Sequence, residues 1–135
     1  ANGTRPPAEI AVHPVSLTAA EIDDPADGLQ AKFSIPYLTA YTLMRGAPTV
    51  ETFRAVDEEV RAAARGVTVR TDPSLGEPEA ILDGETRVEA AVGSPRKPMT
   101  EERLAAKLQA LAGDRLDGAL DDPERPAAEL AARLG

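Results

Sequence analysis

Asp83-Gly84 sits between two short segments, residues 79–82 and 85–92, that read as strand. An Asp-Gly pair readily takes the positive φ values of a two-residue hairpin turn, so the spacing predicts an antiparallel hairpin over residues 79–92. This feature constrains the fold most, because it commits part of the chain to a sheet with an antiparallel pair. A second strand signal is the alternation of residues 67–71, closed by Asp72-Pro73. A third lies at residues 9–17. There Ile10 and Val12 point one way and Ala11 and His13 the other, and Pro14, which cannot donate to a ladder, ends the strand, bulges it or places it at an edge.

Helical spacing fills much of the rest. Ser34 precedes Pro36, which is tolerated in a first turn, and Tyr37, Tyr41 and Met44 recur at i, i+4, i+7, with Ala40 and Leu43 widening the stripe. Gly46 stops this helix after Arg45. Residues 47–65 predict two short helices or one broken one. Thr49 is the candidate cap of the first, and Val56, Val60 and Ala63 form the apolar face of the second. Residues 18–31 read as loop, with at most one short turn of helix at 18–22. Thr100 caps a further helix with Glu101 and Glu102 in its first turn, carrying Leu104, Leu108 and Leu111 toward Gly113. Residues 114–124 are acidic and turn-rich, and Pro126 can start a last helix with Leu130, Ala131 and Leu134. Strands are too few for repeated βαβ units. The expected class is therefore α+β: a small, mainly antiparallel sheet with helices packed on it, in a single domain over residues 1–135.

Composition narrows the function. Two Phe, two Tyr and no Trp leave little with which to line a deep closed pocket. A net charge of −8, with fifteen Lys and Arg interspersed among acids, argues against nucleic acid and anionic membrane as partners. No run of eighteen apolar residues is present, and no basic-then-apolar leader. The chain has no Cys, which removes disulfides, thiolate chemistry and cysteine metal ligation and fits a cytoplasmic protein. It starts at Ala1 rather than Met, as expected of a fragment or a processed product.

Residue chemistry is sparse. His13 is the sole histidine and has no companions for a metal site, so it reads as a strand residue, with acid–base work the less supported alternative. The acidic clusters at 21–24 and 121–124 lack the spacing of a calcium loop. There is no Gly-rich phosphate loop and no nucleophile elbow at Ser34. Lys32, Ser34, Tyr37 and Tyr41 gather at a helix start. They could hold an anion through backbone N–H groups and the Lys32 charge. They could equally be a surface lysine, a capping serine and two tyrosines at the edge of the core.

Two stretches resemble the MmgE/PrpD family, which includes 2-methylcitrate dehydratase and cis-aconitate decarboxylase. The first is Ala31-Lys32-Phe33-Ser34-Ile35-Pro36-Tyr37 with its helix to Gly46. The second is Gly93-Ser94-Pro95-Arg96-Lys97-Pro98-Met99-Thr100 and the helix after it. Their order and spacing match, with an Ile/Val strand before the first and the Asp-Gly hairpin before the second. The likeness covers roughly residues 8 to 112. It implies a small C-terminal α+β domain that closes over the cleft of a large helical domain, the latter carrying most acid and base groups and being absent here. It also implies that the chain starts inside the small domain, after a segment that precedes the first strand. The implied activity of the whole protein is that of a lyase, a carbon–oxygen dehydratase acting on small carboxylic acids, or of a decarboxylase or epimerase. These work by proton transfer beside a carboxylate-bearing carbon, with no metal or organic cofactor. The full-length protein would be compatible with a homodimer. Lys32, Ser34 and Tyr37 carry over as substrate-cleft residues with a positioning role. No residue here takes a named proton transfer, so the chain alone is expected to be inactive. Gly93 and Pro98 shape the connector. The competing readings are a non-catalytic interaction domain that pairs with another chain, and a plain α+β domain without a site. A helical domain encoded upstream would favour the enzyme, and a start codon at residue 1 the interaction domain.

Overall fold

The structure is a computed structural model that describes residues 7–113. The order of elements is β1 (Ala8–Val12), α1 (Pro14–Ala19), α2 (Gly28–Ala31), α3 (Ile35–Arg45), a 3-10 turn (Glu51–Arg54), α4 (Glu58–Ala64), β2 (Val67–Thr71), β3 (Ala80–Leu82), β4 (Thr86–Val88) and α5 (Glu101–Ala112). The chain divides into two compact units, one through Ala91 and one from Val92.

In the first unit the four strands form one sheet in the order β2-β1-β3-β4. The hairpin pairs antiparallel, β3 pairs antiparallel with β1, and β2 joins β1 in parallel after the crossover through α1–α4. The class is α+β with a mixed sheet and flanking helices, and the expected union of residues 67–71 with the hairpin in one sheet is present. Ala8, Ala11 and Val12 of β1 are buried. Burial of two consecutive residues means that both sides of the central strand are covered there.

The hairpin departs from the two-residue loop. Asp83 and Gly84 both take positive φ, 50° and 72°, and the Leu82 carbonyl accepts the Glu85 N–H at 3.1 Å. The ladder nevertheless sets Leu82 opposite Thr86, so Glu85 is one residue more than a tight hairpin needs. Asp83 is held by β1: its N–H donates to the Glu9 carbonyl at 2.7 Å, and its Oδ1 accepts the Glu9 N–H at 2.8 Å. These bonds tie the turn to a third strand.

Pro14 also does something other than expected. The strand ends at Val12, and Pro14 opens α1, where its missing N–H is no loss. His13 caps that helix, Nδ1 accepting the Val15 N–H at 3.1 Å. The loop reading of 18–31 misses α2, which Asp27 caps through Oδ1 and the Gln30 N–H. Thr49 is not the cap of the 3-10 turn; its N–H donates instead to Thr52 Oγ1 at 2.9 Å.

The core lies chiefly among the helices. Ala31, Tyr37, Ala40, Val60 and Ala64 are buried together, with Tyr41, Met44, Phe53, Val56, Ala63 and Val67 packed against them. Alanines let α3 and α4 approach closely, and Tyr37 supplies the bulk that a Trp-free chain otherwise lacks.

In the second unit Gly93 takes φ 95°, and Ser94 through Lys97 form a tight turn closed by the Lys97 N–H and the Ser94 carbonyl at 3.0 Å. Thr100 caps α5, its side chain accepting the Arg103 N–H at 3.3 Å, and Gly113 at φ 56° ends it. The acidic segment and the last helix expected after residue 113 lie outside the described residues.

Candidate functional site

Lys32, Ser34 and Tyr37 fall on the junction between α2 and α3, and local chemistry explains its shape. Ser34 is fully buried, in extended conformation, and its Oγ accepts the Tyr37 N–H at 3.2 Å. Its carbonyl accepts the Leu38 N–H at 3.0 Å. Residues 21–22 pair with this junction, the Ile22 N–H donating to the Phe33 carbonyl at 3.1 Å, which keeps the turn from unwinding. The same loop is tied to α4 by Asp24, whose carboxylate takes two bonds from Arg61 at 2.6 and 3.0 Å. The Arg61 guanidinium thereby holds the Asp24 carboxyl below the usual aspartate range, against a smaller opposing effect of burial.

Tyr37 is fully buried. Its hydroxyl accepts the Asp57 N–H at 2.9 Å, and its ring stands 6.3 Å from that of Tyr41. Burial pushes the Tyr37 phenol up, only partly offset by the Asp57 N–H, so it stays a neutral phenol. Asp57 is itself the cap of α4, Oδ1 accepting the Glu59 and Val60 N–H groups at 3.0 and 3.2 Å. Its Oδ2 receives Arg45 Nε at 3.2 Å, and Arg45 also bonds Glu59. Burial is the largest single influence on Asp57 and acts upward. The Val60 N–H, Arg45 and the Glu59 N–H together outweigh it, so the carboxyl lies below its ordinary value. Tyr37 thus joins the first half of α3 to the start of α4 through one backbone bond.

Lys32 behaves differently. It is exposed, at the C-cap of α2, and its Nζ lies 5.5 Å from the centre of the Phe53 ring. Among the described residues it has no carboxylate partner, whereas Arg45, Arg54, Arg61, Arg70 and Arg87 each bond at least one. The sequence-predicted trio therefore divides: Ser34 and Tyr37 are bonded to each other inside the core, and Lys32 alone meets solvent. The helix start offers an anion less than the sequence suggests. Pro36 has no N–H, and Tyr37's is taken by Ser34, so the positive charge of Lys32 is the main attraction left.

Sequence reasoning passed over Asp57 and Phe53. An Asp followed by two glutamates and Val60 is a readable helix start, and would have found Asp57. Phe53 carries no periodic signal. His13 is engaged as a helix cap. Among the described residues no group of three or more His, Cys, Asp or Glu is placed to hold a metal ion, and no helix is long and apolar enough to cross a membrane.

The sequence matches the MmgE/PrpD C-terminal domain over residues 8–129. The chain belongs to that family. The match runs past residue 112, where the resemblance of the two motifs ends, and takes in the whole acidic segment, residues 114–124. No curated protein matches the chain. The Lys32–Tyr37 junction and the connector at 93–100 thus belong to an MmgE/PrpD C-terminal domain with an α+β fold.

Proposed function

We propose that this chain is the small, cleft-closing C-terminal domain of a larger MmgE/PrpD-type lyase or isomerase that acts on small carboxylic acids, as 2-methylcitrate dehydratase does. Family membership over residues 8–129 carries this reading. All of residues 1–135 are assigned to that small domain, and the acid and base groups to a helical domain outside it. Lys32 is the substrate-positioning residue that meets solvent. Its ammonium, without a carboxylate partner among the described residues, suits a substrate carboxylate, and a cation there would draw charge from the carbon beside that carboxylate as its proton leaves. Ser34 and Tyr37 serve the cleft by holding the turn that presents Lys32. The chemistry needs no cofactor, and the protein is assigned to the cytoplasm.

The chain alone holds no acid–base pair at this junction, so it is expected to be silent in dehydration of 2-methylcitrate and decarboxylation of cis-aconitate. The test has two arms. The first is the complete reading frame, which should encode a helical domain upstream. The second is turnover by that whole protein and by the 135-residue chain. Turnover by the chain alone would overturn the division of labour. A frame that starts at residue 1 would favour a non-catalytic domain that pairs with another chain.

A further inference from the structure

We propose that Phe53 is a positioning residue for the Lys32 ammonium, a fixed aromatic platform that keeps the cation in place to receive a substrate carboxylate. This rests on the carboxylate role proposed above for Lys32. Three observations carry it. The first is the contact itself, with Lys32 Nζ 5.5 Å from the ring centre, within the range where the ring quadrupole attracts a cation.

The second is how the 3-10 turn reaches α2. A Cβ built at Gly28 would lie 2.0 Å from the Phe53 carbonyl oxygen, so the backbone of Phe53 rests against the glycine. Gly28 and Lys32 are four residues apart and share a face of that short helical segment. The same residue thus touches α2 twice, its carbonyl at Gly28 and its ring at Lys32. Phe53 is in turn partly buried against the helical core cluster that contains Tyr37, Ala40 and Val60.

The third is what Lys32 leaves undone. In a chain of net charge −8, five of the six arginines described in the first unit are bonded to carboxylates, Arg65 being the exception, while this lysine is held over a ring. A ring restricts the swing of a four-carbon side chain without neutralising its charge. A carboxylate from the chain would neutralise it and occupy the place of the ligand.

The experiment uses the 135-residue chain, with citrate as the tricarboxylate probe and NMR as the readout. In the free wild-type chain the Lys32 Hε protons should be shifted upfield by the Phe53 ring. Citrate should then perturb the Lys32 side chain in a saturable way. Phe53→Leu should abolish the upfield shift and weaken citrate binding about two- to five-fold, and Phe53→Tyr should preserve both. Lys32→Ala should weaken binding roughly ten-fold or more. Absence of the upfield shift in the wild-type chain overturns the platform, as does unchanged citrate affinity in Phe53→Leu when Lys32→Ala weakens it. No citrate response at Lys32, or full affinity in Lys32→Ala, overturns the carboxylate subsite and the role of Phe53 with it.

Discussion

Replacing Tyr37 by Phe removes one oxygen from the centre of the helical core and nothing else. The ring, its burial and its neighbour Tyr41 are kept, so no cavity opens. What is lost is the acceptor for the Asp57 N–H, a bond of 2.9 Å in a part-buried setting. An unmade bond at a buried donor costs about 1–3 kcal/mol. Partial access of water to Asp57 points to the lower end, about 1–1.5 kcal/mol. For a domain near 100 residues that corresponds to a fall in Tm of about 4–10 °C. Tyr37→Ala, which also empties the ring's place, should cost about 3–5 kcal/mol. Calorimetry of the two variants gives the comparison, and amide exchange at Asp57 gives the site: Tyr37→Phe should speed it, while exchange in β1 follows the global change. A Tyr37→Phe variant within about 2 °C of wild type, with Asp57 exchange unchanged, would refute the view that this hydroxyl joins α3 to α4.

Other perturbations probe the junction and its supports. Gly28→Ala forces a Cβ to within 2.0 Å of the Phe53 carbonyl oxygen and should destabilise the chain by about 1–3 kcal/mol, read as a lower urea midpoint with unchanged slope. Ser34→Ala deletes a fully buried cap and should cost about 1–2 kcal/mol by the same measurement, with Ser34→Gly no better because the Tyr37 N–H again loses its partner. Asp24, Asp57 and Asp72 are all held below the ordinary aspartate value in the folded chain. Their contribution is therefore full above the unfolded value of ~3.9 and is lost as pH falls below it through the folded values. Acid titration of the Tm should show a decline beginning near pH ~4, and Asp57→Asn should flatten that decline while lowering Tm at neutral pH.

The sequence was readable where a residue's own backbone preference decides the outcome, and misleading where a distant residue decides it. Ser34 caps α3 and Gly46 ends it, because an extended serine before a proline-led turn and a glycine at φ 90° have few alternatives. Thr100 and Gly113 bound α5 for the same reason. The Asp83-Gly84 loop differs in detail: Glu85 adds a third loop residue, and Asp83 is bonded to Glu9, 74 positions away, a contact no local pattern records. The parallel partnership of β1 and β2 was invisible for a similar reason: residues 67–71 alternate equally well beside either kind of neighbour. The same distinction separates the members of the candidate site. Lys32, Ser34 and Tyr37 stand out as a local string, yet only distant contacts sort them. Asp57, twenty residues on, turns the Tyr37 hydroxyl inward, and Phe53 meets the Lys32 ammonium at the surface. A motif can thus bring three polar side chains to one turn while assigning them different work. Here two hold the turn together, and the third, left without a carboxylate among the described residues, is the one exposed to solvent.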